Sequence, residues 1–489
     1  MTILKKIIVL IFILTANNLY ANANNDELRV TLQKSKITLD PGSVRDSQSL
    51  FISRQVDCEL IRTQGSAYVL EAAESINYIT PLKIRIKIND KFKFHDGSSI
   101  TADDVLASFE YINKSKNVFN NFFTWIDSMY VIDNKTIELN LKKETPQLLK
   151  VLSSSNYPIF KKEFLDKANI DAKSWEKPLG CGGYKISEFN NNEIKLIPIS
   201  QGLPIRFYLI DKNQIESKES SKYDIINLNI LGKSQELKEF NLVELFNPKQ
   251  FFIGLNLKSN LWKNKYERCS FLSKLNINEN ILTKYGRHTV RANDLLPRGT
   301  FGYSKDADFN DQLIKAEKKS KINKSNFNKK SFCLAYLTVS VQEKQKEFYL
   351  AMFKEAFPDI SMKPIYDVKQ FGKKFVDENC DAIIFGLVSS YFDGYEFLTI
   401  FEDNGANFTG TTDKKLFQQI ITSQYISNSL SRAKAYRNII NKIADLCVVK
   451  PIFTSLIKEV YIRKTLKTPG IGLTVLHQYF LGNISRVKI

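Results

Sequence analysis

The most constraining stretch of the sequence is residues 82–112, where the signals for a strand, a turn and a helix follow one another directly. Apolar residues alternate with polar or charged ones over residues 82–89, which is the period-two pattern of a strand with one buried face. The alternation resumes at Phe92 and Phe94 and predicts a second strand. Residues 95–97, His-Asp-Gly, then favour a tight reversal, because these residue types tolerate turn conformations.

A helix is predicted immediately after this turn. Thr101 can accept hydrogen bonds from the free amides of a first helical turn, while Asp103 and Asp104 lie at the positive end of the helix dipole. One apolar stripe at helical spacing follows, formed by Val105, Phe109 and Ile112. The helix should therefore begin at about Thr101.

The first 23 residues have the pattern of a secretory signal peptide. Lys5 and Lys6 precede the apolar run 7–14, and Ala-Asn-Ala at 21–23 is a small-x-small cleavage site. The run is far shorter than the ~20 apolar residues that a membrane-spanning helix needs. No cysteine lies in the cleavage region, so a lipid-modified N-terminus is not indicated. We expect the mature chain to begin near residue 24 and to reside in the periplasm.

The formal net charge of +18 is compatible with binding to nucleic acid or to a membrane surface. However, the lysines are spread along the whole chain among many Asn and Ile residues, and there is no arginine-rich arm, helix-turn-helix or zinc-finger spacing. The Lys-, Ser- and Asn-rich tract 315–330 predicts the end of a helix and an exposed loop. We therefore expect a solvated basic surface and no nucleic-acid partner.

Six cysteines are scattered without a CxxC pair, which excludes the common zinc and thioredoxin signatures. In an oxidising compartment some of them can form disulfides, but the sequence does not choose among the pairings. Cys333 and Cys380 each begin an apolar run that is predicted to be one of two neighbouring parallel strands. A disulfide between them is one interpretation, and two small buried thiols are the other.

The run 82–112 also resembles a segment of the extracellular solute-binding proteins of family 5, the dipeptide, oligopeptide and nickel receptors of ABC importers. That segment reads Leu-Arg-x-x-x-x-Phe-His-Asp-Gly-x-x-x-Thr-Ala-x-Asp-Val. The matching residues here are Leu82, Arg85, Phe94, His95, Asp96, Gly97, Thr101, Ala102, Asp104 and Val105. Further segments resemble the family at the Leu-Asp-Pro loop 39–41, the glycine-rich turn 178–185, the loop 292–303, and at Asn256 and Arg268.

The resemblance implies an α/β fold with two lobes, the class II periplasmic-binding-protein fold, with an extra subdomain in lobe one and a ligand cleft between the lobes. The implied boundaries are 1–23 for the signal peptide, 24–62 with 178–258 and 458–489 for the core of lobe one, 63–177 for the extra subdomain, and 259–457 for lobe two. The pattern itself predicts a strand, a helix and a strand over 332–366, which is a parallel βαβ unit.

Apolar runs and helical spacing predict the remaining elements of the second half. Strands are expected at 251–258, 332–339, 360–366, 382–388 and 451–457, with 460–462 leading back to lobe one, and helices at 260–281, 342–357 and 431–447.

The segments 386–398 and 407–410 resemble the two stretches that line the ligand cleft of lobe two in this family. The resemblance assigns ligand binding to Ser389, Ser390, Tyr391, Phe392, Asp393, Asn407 and Tyr303. It implies neither a metal ligand nor a cofactor. The aromatic residues among these are equally compatible with a place in the core.

Ser390 occupies the position where the family's peptide receptors carry the aspartate that neutralises the ammonium group of the peptide. A serine cannot supply that charge, and a buried ammonium without a counter-charge is costly. Three interpretations remain open. Asp393 or another acid is the substitute anchor, or the ligand lacks a free amino end, or Asp393 only caps the helix that follows.

The function implied by the resemblance is that of a periplasmic receptor of an ABC importer. It would bind a short peptide or small solute by lobe closure and act as a monomer with an inner-membrane permease, without chemistry. One alternative is a family member retained for sensing or assembly. A secreted hydrolase is a more remote one, because the sequence has neither GxSxG nor HExxH and its three histidines lie far apart. For the His95–Asp96 pair, a turn is a better explanation than acid–base catalysis.

Overall fold

The computed structural model of the chain describes most residues between 27 and 486. The described ranges are 27–43, 46–64, 67–115, 122–211, 214–215, 217–227, 237–275, 289–320, 331–337, 343–354, 357, 359–365, 375–377, 380–389, 391–402, 407–468 and 481–486. The predicted signal peptide and Ser390 lie outside these ranges.

Strands and helices alternate along the described chain. The strands are β1 (Leu28–Gln33), β2 (Ile61–Gln64), β3 (Ala67–Leu70), β4 (Ala73–Thr80), β5 (Lys83–Ile88), β6 (Ile126–Asp133), β7 (Thr136–Leu141), β8 (Tyr184–Phe189), β9 (Glu193–Pro198), β10 (Ile205–Ile210), β11 (Ile225–Asn227), β12 (Phe240–Leu255), β13 (Thr289–Arg291), β14 (Ser331–Leu337), β15 (Asp359–Ile365), β16 (Ala382–Val388), β17 (Val449–Arg463), β18 (Leu466–Lys467) and β19 (Ser485–Arg486). The α-helices are α1 (Ser47–Val56), α2 (Ala102–Lys114), α3 (Phe122–Trp125), α4 (Leu148–Leu152), α5 (Lys162–Ile170), α6 (Lys265–Lys274), α7 (Phe309–Lys319), α8 (Glu343–Lys354), α9 (Tyr395–Leu398), α10 (Lys414–Ser423) and α11 (Ser429–Leu446).

One eleven-stranded sheet runs through the molecule in the order β15-β14-β16-β12-β17-β11-β1-β10-β9-β8, with β13 paired to β17. Strands from the first part of the chain form one end of this path, and strands from the later part form the other. β14 pairs in parallel with β15 and with β16, so the predicted parallel βαβ arrangement is confirmed. The sheet is mixed, because β12 and β17 enter it antiparallel to their neighbours.

The two longest strands, β12 and β17, connect the ends of this sheet. β12 has 16 residues and β17 has 15, and they pair with each other from Phe240–Arg463 to Gly254–Val449. At one end β17 also pairs with β11, and at the other β12 also pairs with β16. The register shifts between Phe246 and Lys249, where the neighbouring strands change. A register shift of this kind bends a strand pair locally.

The predictions for this region were wrong in extent. The strand expected at 251–258 begins at Phe240, and the strand expected at 451–457 is part of the longer β17, which also includes residues 460–462. Continuous pairing with each other sets their length, and apolar patterning does not reveal that pairing. The helix expected at 260–281 is a 3₁₀ turn (Asn260–Trp262) followed by α6, and its last predicted residues lie outside the described ranges.

A separate four-stranded sheet, β4-β5-β7-β6, forms a second layer with α2. Ile84, Ile86 and Ile88 are fully buried, as their alternation predicts. α2 begins at Ala102 with Thr101 as its N-cap, and its capping box is complete. The Thr101 side chain accepts a hydrogen bond from the backbone N of Asp104, and the Asp104 side chain accepts one from the backbone N of Thr101. The helix start predicted from the sequence is therefore confirmed.

The His-Asp-Gly turn ties this layer to the glycine-rich turn 178–185. His95 N donates to Gly180 O over 2.9 Å, and the Nε2–H of its ring donates to Gly182 O over 3.2 Å. Gly97 adopts φ +84°, and Asp96 Oδ1 accepts from Ser98 N over 2.9 Å. These contacts assign both residues of the pair to turn formation.

The second strand predicted at residues 92–94 is absent, and a single bridge joins Lys93 to Ser99. Turn contacts take up the backbone groups instead, because Phe92 N donates to Asn89 O and Phe94 N donates to Ser98 O. Phe94 is nevertheless buried, so the apolar pattern identified a core position without an extended strand.

Three disulfides connect Cys58 with Cys181, Cys269 with Cys447, and Cys333 with Cys380. The last is the pair nominated from the sequence, and it lies beside the parallel strands β14 and β16. The other two close 123 and 178 residues, separations at which the sequence carries no pairing signal.

Buried side chains form distinct cores. The largest cluster belongs to residues 251–453, a second includes the four-stranded sheet and α2, and a third surrounds β1, β10 and α1. Arg268 bonds the carbonyls of Trp262 and Leu446, so this family-matched residue supports the ends of helical segments. Within the described ranges no helix combines the length and the apolar character that crossing a bilayer requires.

Stability should fall in acid partly through His95. Burial, with a smaller contribution from Lys185, lowers its pKa to about 4, while the hydrogen bond to Gly182 and the charge of Asp96 oppose the shift. Its Nδ1 is buried without a hydrogen-bond partner, so the folded state resists protonation that the unfolded chain accepts below pH ~6.5. The contribution of His95 to the free energy of unfolding is therefore complete above pH 6.5. It should decline by about 2–3 kcal/mol as the pH falls to 4. His95→Gln should flatten this part of a urea-unfolding pH profile, and an unchanged slope would contradict the assignment.

Removing the longest-range disulfide should destabilise the chain most. Cys269→Ala with Cys447→Ala opens a separation of 178 residues, and we expect a loss of about 2–5 kcal/mol in urea unfolding. Cys333→Ala with Cys380→Ala opens only 47 residues and serves as the matched control, with a loss about 1 kcal/mol smaller by chain entropy. The reverse order would argue against a role in constraining the unfolded chain.

Candidate functional site

The loop of residues 389–394 follows β16 and lies where the later part of the chain meets the first. Ser389 N donates to Pro248 O, which fixes the start of the loop beside β12. Phe301 N donates to Phe392 O and Gly394 N donates to Phe301 O, both over 2.9 Å. The structure thus brings together the two family-matched loops, 292–303 and 386–398. A Cβ on Gly394 would lie 2.7 Å from Phe301 O, so this close approach requires glycine.

Ser389 and Glu396 hold the loop in shape. The hydroxyl of the fully buried Ser389 donates to the carboxylate of Glu396 and accepts from Phe392 N over 2.9 Å. Tyr391 N also donates to Glu396 over 3.3 Å. Phe392 adopts φ +55°, an uncommon conformation for a residue other than glycine. These contacts fix an unusual backbone shape, and Ser389 therefore supports the loop from within.

Asp393 is fully buried, and its two oxygens have different surroundings. Oδ1 accepts from Tyr395 N over 3.0 Å and from the Tyr436 hydroxyl over 2.8 Å. Oδ2 has no donor at hydrogen-bond distance and lies 3.8 Å from Lys150 Nζ. The contact with Tyr395 N is of the helix-capping kind that the sequence left open as one role, although Gly394 occupies the cap position of α9.

Lys150 reaches this loop from α4. Its Nζ donates to Phe392 O over 3.0 Å, and its side chain is 26% exposed. Burial lowers the pKa of this lysine, while the carboxylates of Asp393 and Glu396 oppose that shift. The loop is therefore joined by a cation to the part of the chain that carries the four-stranded sheet.

A second set of polar contacts, through Gln147 and Tyr436, joins the same two parts of the chain. Gln147 Nε2 donates to the Tyr436 hydroxyl over 2.8 Å, and that hydroxyl in turn donates to Asp393. Burial, followed by the charge of Asp393, raises the pKa of Tyr436 well above its usual value, so the phenol stays protonated as a donor. Both Gln147 and Tyr436 are buried. This seam connects residues 289 positions apart in the sequence.

More contacts cross the same seam. The Trp125 indole donates to the amide oxygen of Gln424, and Lys143 lies 5.3 Å above the Tyr425 ring. Tyr391 is buried among the side chains of the core that includes the four-stranded sheet. The charge of Asp393 also adds to the burial that raises the pKa of Tyr68, on β3. We refer to these contacts around Asp393 as the polar seam.

The other predicted residues lie in different settings. Tyr303 is half-buried, and its hydroxyl donates to Asn293 Oδ1 over 3.4 Å. Asn407 bonds within its own turn, donating to Thr411 O and accepting from Thr409 N. Tyr391, Phe392 and Asp393 thus belong to the polar seam, and Ser389 supports them through its bonds to Phe392 N and Glu396. The hydrogen bonds of Asn407 stay within its own turn.

Sequence reasoning missed Lys150, Gln147, Tyr436 and Arg432. Arg432 lies above the Phe301 ring at 4.5 Å and is one of the charges that act on Lys150. None of these residues belongs to a motif. A weak signal existed for Tyr436 alone, because it is an aromatic residue on the apolar face of a predicted helix. No group of three or more His, Cys, Asp or Glu residues within the described ranges is arranged to hold a metal ion.

A cavity of about 510 Å³ opens elsewhere, beside Asp96, Lys161 and Glu163. Lys161 bonds both of these acids, at 3.0 and 3.1 Å, on the outside of the molecule. Lys167, Lys173, Glu176 and Lys177 also line this cavity, which shares no residue with the loop around Asp393.

Comparison with known proteins relates part of the chain to a known family. Residues 68–197 match the family model described as "Bacterial extracellular solute-binding proteins, family 5 Middle". The resemblance to solute-binding family 5 is confirmed. A candidate ABC transporter peptide-binding protein of Brucella ovis is 23% identical over 256 residues, which is 48% of this chain and 49% of that protein. The match thus spans about half the length of this relative.

Solved structures extend the likeness to nearly the whole chain. The periplasmic binding protein DppA of Helicobacter pylori, in complex with the peptide STSA, aligns with a TM-score of 0.78 at 16% identity, covering 94% of this chain and 98% of that one. The murein tripeptide binding protein MppA of Escherichia coli aligns with a TM-score of 0.79 at 16% identity, covering 95% and 99%. The two-lobe α/β fold predicted from the family 5 resemblance is therefore confirmed. The predicted domain boundaries and the ligand-binding roles remain predictions.

A matched pair of tyrosine variants tests how the seam is built. Tyr436→Phe leaves Gln147 Nε2 and Asp393 Oδ1 each short of a buried partner, so we expect a loss of about 1–3 kcal/mol in urea unfolding. Tyr303→Phe removes one long bond at a half-buried position and should cost less than about 1 kcal/mol. Equal losses of unfolding free energy would show that the Tyr436 hydroxyl stabilises the fold no more than the half-buried Tyr303 hydroxyl does.

Proposed function

We propose that this protein is the substrate-binding receptor of an ABC importer and that it takes a peptide or a peptide-like small solute between its two lobes. Binding would occur in the periplasm by lobe closure and without chemistry. The receptor would act as a monomer that docks on an inner-membrane permease, with no nucleic-acid partner. The family 5 match and the folds of the peptide-binding neighbours DppA and MppA support this proposal.

The observation that carries the proposal is the polar seam between the two parts of the chain. Asp393, Tyr436 and Tyr391 on the later part meet Lys150 and Gln147 on the earlier part. A ligand held at such a junction contacts both lobes, so its affinity differs between open and closed arrangements, and this difference drives closure.

The long strands support lobe movement. The β12–β17 pair lies between the two parts of the large sheet, and its register shifts between Phe246 and Lys249. Hinges of this kind absorb backbone rotation at a few residues while the packed cores on each side move as bodies. We therefore place the hinge at this shift.

The described residues of this loop, Ser389 and 391–393, are suited to binding without catalysis. Ser389 is fully buried and bonded to Glu396, and burial together with the charge of Asp393 raises the pKa of Tyr436 and keeps its phenol protonated. No described histidine lies among the contacts of the seam, because the ring of His95 bonds Gly182. The seam thus offers hydrogen-bonding groups and aromatic surface rather than an activated nucleophile.

Co-purification tests the proposed function. Native mass spectrometry of the protein, purified from the periplasm without denaturation, should reveal a bound small solute or a mixture of peptides. After the solute is removed, a matching peptide at about 100-fold above its Kd should stabilise the fold by about 2.7 kcal/mol in a thermal-shift assay. An empty protein that gains no stability from a panel of peptides and metal ions would reject the receptor assignment.

A further inference from the structure

The acid at the centre of the polar seam already has a counter-charge within the chain. Lys150 Nζ lies 3.8 Å from Asp393 Oδ2 and donates to the adjacent Phe392 carbonyl over 3.0 Å. The Asp393 side chain is 1% exposed, whereas that of Lys150 is 26% exposed. A ligand ammonium directed at this carboxylate would have to displace or share the place of the Lys150 ammonium.

The hydrogen-bonding capacity of Asp393 limits what else can bind there. Oδ1 already accepts from two donors, Tyr395 N and the Tyr436 hydroxyl. Oδ2 has an ion-pair partner but no donor at hydrogen-bond distance. The carboxylate can therefore accept one more N–H or O–H at Oδ2, but it has no unmatched negative charge to offer.

The charges around Lys150 balance. Lys150 interacts with two acids, Asp393 and Glu396, and with one other base, Arg432. The four groups sum to no net charge. An additional ammonium would leave one positive charge uncompensated in a largely buried region, and an unpaired buried charge is strongly unfavourable.

We propose that Lys150 determines ligand class by acting as the internal counter-charge of Asp393, so that the site takes a peptide-like solute whose end at this loop is an uncharged N–H or O–H. An N-acylated peptide has that chemistry, and a peptide with a free ammonium group does not. This inference rests on the proposed function. It selects the open interpretation in which the ligand lacks a free amino end over the one in which Asp393 is its anchor.

The first test needs no knowledge of the natural ligand. Lys150→Ala removes the ammonium and leaves Asp393 unpaired, so ethylammonium should restore part of the lost thermal stability. Tetramethylammonium carries the same charge without an N–H and serves as the salt control. Lys150→Ala combined with Asp393→Asn should show no ethylammonium effect, and neither should Lys167→Ala on the exposed face of α5. The absence of an ethylammonium-specific rise in the single variant would overturn the proposal.

The second test measures ligand choice directly. Trialanine and N-acetyl-trialanine differ at the amino end, and isothermal titration should show that the wild-type protein prefers the acetylated peptide. Lys150→Met, which keeps much of the packing volume, should shift the preference towards free trialanine by about tenfold, the lower range for a charged hydrogen bond. Lys150→Arg retains the charge and should keep the wild-type preference. A wild-type preference for the free peptide, or an unchanged ratio in Lys150→Met, would refute the proposal.

The two tests separate this inference from the proposed function. Ethylammonium rescue with no binding of either peptide would support Lys150 as the counter-charge and would reject only peptides as the ligand class. Binding of free trialanine in preference to the acetylated form, without ethylammonium rescue, would support the receptor function and overturn the role of Lys150.

Discussion

The antiparallel pairing of β12 with β17 is the constraint on which the rest of the structure depends. This pair joins the two parts of the large sheet, because β17 pairs with β11 on one side and β12 pairs with β16 on the other. Each core can pack its own side chains, but their relative position follows from this strand pair. The register shift near Lys249 adds a bend at the place where the neighbours change. A two-lobe architecture is therefore a consequence of two long strands with different partners at their two ends.

The polar seam is the second constraint, because buried polar groups must be satisfied in both parts of the chain together. Tyr436 needs Asp393 and Gln147, and Asp393 needs Lys150, so the seam is complete only when the parts are correctly placed. Hydrogen bonds and ion pairs of this kind require one relative position of the two parts of the chain, whereas apolar packing alone would allow them to slide against each other. The net charge at this loop therefore depends on Lys150 from the earlier part of the chain as well as on Asp393.

The sequence predicted local structure well where the signals are local. The cap at Thr101, the turn at Gly97 and all seven residues of β16 follow from patterns a few residues long. The extent of β12 and β17 was missed, because pairing between distant strands can hold backbone extended where the side-chain pattern is not that of a strand. At the site, the sequence identified the loop containing Asp393 through a family resemblance. It did not identify Lys150 or Tyr436, which belong to no motif.

By itself, the sequence indicated the resemblance to family 5, the two-lobe fold that this resemblance implies and the position of the candidate loop, because these depend on short motifs and on alternation that the chain carries in order. Only the tertiary structure decided which groups surround Asp393. Lys150 comes from 243 positions earlier and Tyr436 from 43 positions later, and such contacts leave no spacing in the sequence. The tertiary structure also decided two of the three disulfides, because cysteines that far apart meet only after both cores have packed.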